Sequence, residues 1–179
     1  MAKQQKPATR AIRVQTKKTE QKEHSTPLFL TSSFNYDSAE DMAAAFATES
    51  PEVNIYSRFS NPGVDEFVNK IASLEGAEDG VATGTGMSAI FSTFMTFLSK
   101  GDHIISASAV FGSTHTILTK YLPKWGIESS YFDMNKPESI EALVKPTTKM
   151  LYLETPSNPG LDIIDIEFVS EICRKNNIL

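Results

Sequence analysis

Cysteine is nearly absent from this sequence, and the absence excludes one class of protein. The single cysteine, Cys173, rules out an internal disulfide framework and is typical of a protein from a reducing compartment. Its neighbours have helical spacing, so we predict a buried structural thiol and not a nucleophile. We therefore predict a cytoplasmic protein.

Long apolar runs and an excess of positive charge are also missing. No run approaches the roughly 18 apolar residues of a membrane span, and the polar first residues lack the apolar core of a secretion signal. The net charge of −5 argues against a general nucleic-acid binder. With 179 residues, 40% of them hydrophobic, the chain suits one globular domain with a sizeable core. Neither a membrane nor a nucleic acid is predicted as its partner.

Two common phosphate-binding motifs are absent as well, although the chain contains a Gly-rich turn. There is no G-x-x-x-x-G-K-[ST], so a P-loop is not expected. Gly84-Thr85-Gly86 is followed by Met87-Ser88-Ala89, so a G-x-G-x-x-G dinucleotide fingerprint fails at its third glycine. These absences narrow the range of cofactors that the turn can serve.

The Gly-rich turn leads directly into an apolar pattern of helical spacing. Glycine lets the backbone approach a ligand closely. The first N–H groups of a helix have no partner within it and lie at the positive end of its dipole. We interpret Gly86, Met87 and Ser88 as a phosphate cradle. The alternative is a plain junction between loop and helix, capped by Ser or Thr.

The segment before this turn begins with a polar arm. Residues 1–24 are rich in Lys and Arg and poor in apolar residues, which predicts a solvent-exposed or subunit-crossing arm. The other elements predicted here are an extended stretch at 27–34, a helix from Ser38 to Phe46, a loop at 48–54, and a helix from Val64 to Leu74 that Gly76 stops.

Strands and helices alternate after the turn, which predicts a parallel α/β sheet. The predicted strands are His103–Ala107, Ser129–Phe132 and Met150–Glu154, and Ile178–Leu179 opens another. The predicted helices include one from Ile90 that ends at Lys100-Gly101, one from Ser113 to Leu122 that Pro123 ends, one from Pro137 to Val144, and one from Ile166 to Asn176.

Three features are predicted at the carboxyl ends of strands, where ligands gather in open parallel sheets: the segment Phe111–His115, the segment Glu154–Gly160 and the Gly86 turn. Phe111 could stack on a planar ring or fill the core. Glu154 could be a general base or a structural acceptor, and Asn158 could donate to a ligand or only cap its turn. From the residues alone, these alternatives stay open.

A phenol and a guanidinium lie two residues apart before the cradle. In an extended segment, Tyr56 and Arg58 would project to the same side. Arginine suits phosphate because its fork donates two parallel hydrogen bonds. The alternative is a surface aromatic residue beside a solvated charge.

Three blocks follow one another along the chain: Tyr56-Ser57-Arg58 with Asn61-Pro62, then Gly86-Met87-Ser88-Ala89, then Glu154-Thr155-Pro156-Ser157-Asn158-Pro159. In this order they resemble the Cys/Met-metabolism family of pyridoxal-phosphate enzymes. That family includes cystathionine γ-synthase, the lyases for cystathionine and methionine, and the homoserine-ester sulfhydrylases. The resemblance covers about residues 25–179, and the last block is its most specific part.

The resemblance implies a fold, an assembly and a cofactor. The fold would be α/β: an N-terminal arm and interface segment at 1–60, then at 61–179 part of the large, mostly parallel-sheet domain of a fold-type I (aspartate-aminotransferase-like) enzyme. The cofactor would be pyridoxal 5'-phosphate (PLP), with no metal. Self-association to a dimer or tetramer would complete shared active sites.

The resemblance also implies roles for the candidate residues. The backbone of Gly86 and Met87 would bind the phosphate of the cofactor. Tyr56 and Arg58 would reach the phosphate of the neighbouring subunit. The remaining roles are ring stacking for Phe111, a place near the pyridine 3-oxygen for Asn158, and a place in the shell around the site for Glu154.

Phe111 departs from the pattern of the family, because most members carry Tyr there. Phenylalanine keeps the stacking face and lacks the hydroxyl that could shuttle a proton. Sulfhydrylase-like members tolerate it. The expected activity is therefore γ-replacement on a small amino-acid substrate, O-acetyl- or O-succinylhomoserine plus sulfide giving homocysteine in methionine biosynthesis. The alternatives are methionine γ-lyase, cystathionine γ-synthase and cystathionine lyase.

Two residues that the family needs are expected beyond residue 179: the Schiff-base lysine and the aspartate that pairs with the pyridine nitrogen. No lysine after the Gly-rich turn stands in the motif context of that lysine. We therefore expect the N-terminal portion of a longer protein. A function of another class stays open, namely a catalytically silent binding module, or a fragment that works beside a chain carrying the C-terminal half.

Overall fold

The fold is seen in a computed structural model that describes residues 5–15, 18–48 and 53–179. The chain forms two compact units, Met1–Ala82 and Thr83–Leu179. The helix that follows Asn61 belongs to the first of these units. The domain boundary predicted between residues 60 and 61 stays a prediction. No helix among the described residues combines the length and the apolar character needed to cross a membrane.

The described part of the first unit contains the helices α1 (Pro7–Arg13), α2 (Ala39–Thr48) and α3 (Pro62–Glu75). The sequence did not predict α1, which lies within the polar arm and has a proline in its first turn. Its Arg10 donates a hydrogen bond to the Ser73 carbonyl in the last turn of α3. Most of the described arm residues are exposed, as predicted.

A serine side chain fixes the start of α2. The amide of Asp41 donates to Ser38 Oγ at 3.0 Å, so the predicted cap is confirmed. The helix ends at Thr48 and not at Phe46. Of the loop predicted at 48–54, residues 49–52 lie outside the described part of the chain.

Two residue types with special backbone properties delimit α3. Its end at Gly76 was predicted, whereas its start was predicted at Val64 and lies at Pro62. Pro62 occupies the first turn, where no hydrogen-bond donor is needed. Gly76 ends the helix with a φ of +72°, a left-handed conformation that glycine adopts without strain.

The second unit is built on a parallel sheet in the order β2-β1-β3, which confirms the α/β prediction. Its strands are β1 (His103–Ala107), β2 (Glu128–Phe132) and β3 (Thr148–Tyr152). The central strand β1 is buried along its whole length, as parallel strands usually are. Leu179 continues the sheet beyond β3, because its amide donates to Lys149 O at 3.0 Å and its carbonyl accepts from Leu151 N at 2.8 Å. The strand predicted to open at Ile178–Leu179 is seen as this backbone pairing of Leu179 with β3, and the described sheet has three strands.

One helical segment of the second unit continues past its predicted end at Leu122. It runs without a break through α5 (Gly112–Thr116), a π-helical turn (Ile117–Tyr121) and a 3₁₀ turn (Leu122–Trp125). Pro123 does not end it, because proline is tolerated in a first helical turn. Gly126, with a φ of +73°, ends it instead. The other helices are α4 (Gly86–Phe97), α6 (Ile140–Leu143) after a 3₁₀ turn (Pro137–Ser139), and α7 (Ile166–Asn176).

Apolar side chains from the sheet and the helices form the core of the second unit, and one histidine lies among them. His103 is fully buried and both ring nitrogens have partners, Thr148 Oγ1 and Ser130 Oγ, each at 2.8 Å. Burial lowers the pKa of His103, and the charge of Lys145 acts in the same direction. Cys173 lies half-buried on α7, and burial raises the pKa of its thiol, which agrees with a structural role. The largest fully buried apolar side chains are Phe94, Ile104, Ile105, Leu118, Leu122, Ile127 and Ile140.

Candidate functional site

The N-terminus of α4 offers two backbone amides to a ligand. Thr85 caps the helix, with its Oγ1 accepting from Ser88 N at 3.1 Å. Among the described residues, the amides of Gly86 and Met87 have no hydrogen-bond acceptor. The capped junction and the cradle are thus compatible, but the amide of Ser88 is already used. Two amides of the predicted three stay available at the positive end of this helix.

The space in front of α4 is open. A Cβ atom built on Gly86 would meet no described atom within 4 Å, and the same holds for Gly84. Neither glycine has a positive φ. Backbone strain and packing therefore do not explain these glycines, and the open space leaves room for a ligand to approach the backbone closely. A phosphate group fits this end of the helix.

The carboxylate of Glu154 joins the chain segments that follow β1 and β3. Its Oε2 accepts from the amide of Phe111 at 3.0 Å. Its Oε1 accepts from Tyr152 Oη at 3.0 Å and from Thr114 Oγ1 at 3.4 Å. With three donors directed at it, this carboxylate acts as a structural acceptor, one of the two interpretations that the sequence left open.

Tyr152 is a site residue that sequence reasoning missed. Its ring packs edge-on against Phe94, with centroids 5.2 Å apart. Burial raises the pKa of Tyr152 to about 12, and the negative charge of Glu154 adds to the effect. The phenol therefore keeps its proton and donates a hydrogen bond to Glu154. The available signal was the spacing of two residues at the end of a strand, which places both side chains on one face.

Phe111 lies immediately before α5 and does not belong to the core. Its side chain is 46% exposed. Two hydrogen bonds hold its backbone. Its amide donates to Glu154, and its carbonyl accepts from His115 N in α5 at 3.0 Å. A partly exposed ring on a fixed backbone is suited to stacking on a planar ligand.

Asn158 is exposed, and the turn around it is held by its neighbour. Ser157 is buried. Its Oγ donates to Asp162 Oδ2 at 2.8 Å and accepts from Asp162 N at 2.9 Å. Among the described residues Asn158 has no side-chain hydrogen bond, so it does not cap this turn. Its amide group is free to meet a ligand. The peptide bonds Thr155-Pro156 and Asn158-Pro159 are cis.

Tyr56 and Arg58 meet in the first unit, although not as predicted. Tyr56 pairs with Ser33 in an isolated antiparallel bridge. Arg58 lies in a turn and not in an extended segment, since Phe59 N donates to Tyr56 O at 2.8 Å. The guanidinium carbon lies 5.1 Å from the ring centroid of Tyr56 and 5.3 Å from that of Phe59. Cation–π contacts therefore hold the side chains of Tyr56 and Arg58 together on the exposed surface.

Residues 8–179 match the family described as Cys/Met metabolism PLP-dependent enzyme. O-succinylhomoserine sulfhydrylase of Pseudomonas aeruginosa is 43% identical over 171 residues, 96% of this chain and 42% of that protein. L-methionine gamma-lyase of Fusobacterium nucleatum subsp. nucleatum is 39% identical over 150 residues, 84% of this chain and 38% of that protein. This chain thus spans about two fifths of the length of these curated relatives.

A solved structure of a putative O-acetylhomoserine (thiol)-lyase from Campylobacter jejuni superposes with a TM-score of 0.90 at 30% identity. The alignment covers 98% of this chain and 43% of that one, which carries N'-pyridoxyl-lysine-5'-monophosphate. The predicted fold, part of a fold-type I PLP enzyme, is confirmed by this likeness and by that to a cystathionine gamma-lyase from Lactobacillus plantarum, with a TM-score of 0.84 at 30% identity. The chain belongs to the Cys/Met metabolism family of PLP-dependent enzymes.

Proposed function

We propose that the enzyme containing this chain carries out γ-replacement, converting O-acetyl- or O-succinylhomoserine and sulfide into homocysteine. The observation that carries the proposal is the phenylalanine at position 111, on a backbone fixed by Glu154. The sulfhydrylases of Pseudomonas aeruginosa and Corynebacterium glutamicum, the latter 36% identical, support it.

The residues present fit PLP. The amides of Gly86 and Met87 would hold its phosphate, Phe111 would cover one face of its ring, and Asn158 would donate to its 3-oxygen. When bound, the cofactor withdraws electrons from Cα and then Cβ of the substrate, so that a γ-substituent can leave. Tyr56 and Arg58 would complete the phosphate site of a neighbouring subunit, which requires a dimer or a homotetramer.

A phenyl ring at position 111 suits an ester substrate. A carboxylate leaving group needs little help from an acid, so the missing hydroxyl costs little. A thiolate or an amine leaves poorly without a proton. Tyr152 cannot replace the missing phenol, because its hydroxyl donates a hydrogen bond to Glu154 and its pKa is raised to about 12. What the chain supplies at position 111 is stacking without proton transfer.

We further propose that the Schiff-base lysine lies in a portion of the enzyme outside these 179 residues, and that the enzyme works in the cytoplasm. A partner chain that carries this portion is one form that the enzyme could take. The chain alone would then be a silent binding module. Mass analysis of the purified protein distinguishes a continuous enzyme from a two-chain one.

The second candidate function is methionine γ-lyase, which the identity of 39% to the Fusobacterium enzyme favours. Cystathionine γ-synthase and cystathionine lyase are related alternatives. The test is a comparison of kcat/KM for an acyl-homoserine plus sulfide and for methionine, with the complete, PLP-loaded enzyme. We expect fast replacement and slow release of methanethiol. Methionine elimination as fast as acyl replacement would contradict the proposal and assign the enzyme to the lyases.

A further inference from the structure

We propose that Asn61 is a positioning residue, which fixes the turn that carries Tyr56 and Arg58 and thereby sets the affinity of the phosphate site to which this pair contributes. The inference rests on the proposed function, because it takes Arg58 as a ligand of the PLP phosphate. It adds a residue that touches neither cofactor nor substrate.

Asn61 forms hydrogen bonds in three directions from a buried position, with 8% of its surface exposed. Its Oδ1 accepts from Gly63 N at 3.0 Å, which caps α3. Its Nδ2 donates to Phe29 O and to Ser57 Oγ, each at 3.0 Å. Both amide hydrogens are therefore used, and a helix, an extended segment and the turn meet at one side chain.

Ser57 connects Asn61 to the two proposed phosphate ligands, because it lies between Tyr56 and Arg58 in sequence. Its Oγ donates to Thr31 O, and its amide donates to Ser32 O at 2.9 Å. The turn is thus attached to the segment at 29–33 by side chain and by backbone, and Asn61 bonds to both parts.

The exposed side chains of the turn have few contacts of their own, so their positions depend on the backbone that carries them. Tyr56 and Arg58 are exposed, and among the described residues the guanidinium is held only by the faces of two neighbouring rings. A ligand residue on a loose turn loses conformational freedom when it binds, which weakens the affinity. A fixed backbone removes part of that cost before the phosphate arrives.

The test is a double-mutant cycle in the complete enzyme, read as the affinity of the apo-enzyme for PLP by fluorescence titration. Asn61→Ser keeps a side chain that can cap α3 and removes both amide donors. We expect it to weaken PLP binding by about threefold to tenfold, the scale of lost neutral hydrogen bonds. In an Arg58→Ala background the same substitution should change the affinity by less than about twofold.

Two further variants keep the result interpretable. Ser57→Ala removes the hydroxyl without touching the α3 cap and should weaken binding in the same Arg58-dependent way. Asp165→Ala removes a helix cap of α7, where the side chain accepts from Phe168 N at 3.1 Å. It should lower thermal stability and leave the affinity for PLP unchanged.

The outcomes separate this inference from the proposed function. If Arg58→Ala weakens PLP binding and Asn61→Ser does not, or if the Asn61 effect persists undiminished in the Arg58→Ala background, the positioning role is wrong and the phosphate role of Arg58 stands. If Arg58→Ala itself leaves the affinity unchanged, the proposed role of Arg58 is wrong and the inference falls with it.

Discussion

Substitution of Gly86 should separate the stability of the enzyme from its affinity for PLP. A Cβ at this position would meet no described atom within 4 Å, and the backbone φ is not positive. Gly86→Ala should therefore fold normally, with the apo-enzyme unchanged or more stable by up to about 0.5–1 kcal/mol, since alanine has less backbone entropy to lose. The methyl group would nevertheless enter the space that the proposed phosphate site needs.

The loss of affinity follows from the two free amides at the start of α4. A hydrogen bond to a charged group contributes about 1.5–3 kcal/mol. Gly86→Val, whose side chain is larger, should displace the phosphate from both amides and weaken PLP binding by about 3 kcal/mol or more, which is roughly a hundredfold or greater. Gly86→Ala should have a smaller effect of the same sign.

Two measurements on the same apo-enzymes check this prediction. The dissociation constant for PLP comes from fluorescence titration, and the free energy of unfolding comes from urea denaturation. Pyridoxal, which lacks the phosphate, is the matched control ligand, and its weak binding should respond little to either substitution. A folded Gly86→Val enzyme with unchanged affinity for PLP, or with an equal loss for pyridoxal, would refute the cradle.

Two further predictions concern side chains behind the site. Glu154→Ala should destabilise the apo-enzyme by about 2–4 kcal/mol, because the amide of Phe111 loses its acceptor. Glu154→Gln should cost about 1–2 kcal/mol, because the hydroxyls of Tyr152 and Thr114 can turn to accept hydrogen bonds from the new amide group. Equal unfolding free energies for the two variants would contradict this. His103, with its pKa lowered by burial, binds protons less readily in the folded state, so its contribution to stability is complete above the unfolded pKa of about 6.5 and declines as the pH falls below it. Urea unfolding should show that the free energy of unfolding falls less between pH 7.5 and pH 5.5 in His103→Asn than in the unmodified enzyme. An equal or greater fall in His103→Asn would be inconsistent with a buried neutral imidazole.

The sequence predicted elements best where local signals agree. The bounds of β1 and α7 are those predicted, because a buried apolar run defines the strand and Asp165 and the left-handed Asn177 delimit the helix. The segment after α5 was predicted to end too early, since proline stops an α-helix but is accepted at the start of a 3₁₀ turn. The short helix α1 was missed because it has few apolar residues.

The candidate site was predicted in its residues and less well in their connections. The motifs identified Phe111 and Glu154, but the bond between them joins residues 43 positions apart, which no local pattern reveals. Arg58 was predicted in an extended segment, and the turn that holds it depends on Asn61 and on the segment at 29–33. Tertiary contacts of this kind override local propensity.

The direct test of the proposed function is the effect of Phe111→Tyr on the ratio of two activities in the complete enzyme. The substitution adds a phenol where the chain has none, and general-acid help typically contributes about 10²–10⁴-fold to a step that needs a proton. The measurement is kcat/KM for methionine elimination divided by kcat/KM for acyl-homoserine replacement by sulfide, in the unmodified and the substituted enzyme. We predict a low ratio in the unmodified enzyme and a rise of at least about tenfold in Phe111→Tyr, mainly through faster elimination. A ratio near one in the unmodified enzyme, or a ratio that the added hydroxyl leaves unchanged, would contradict the assignment of Phe111 as the residue that favours replacement.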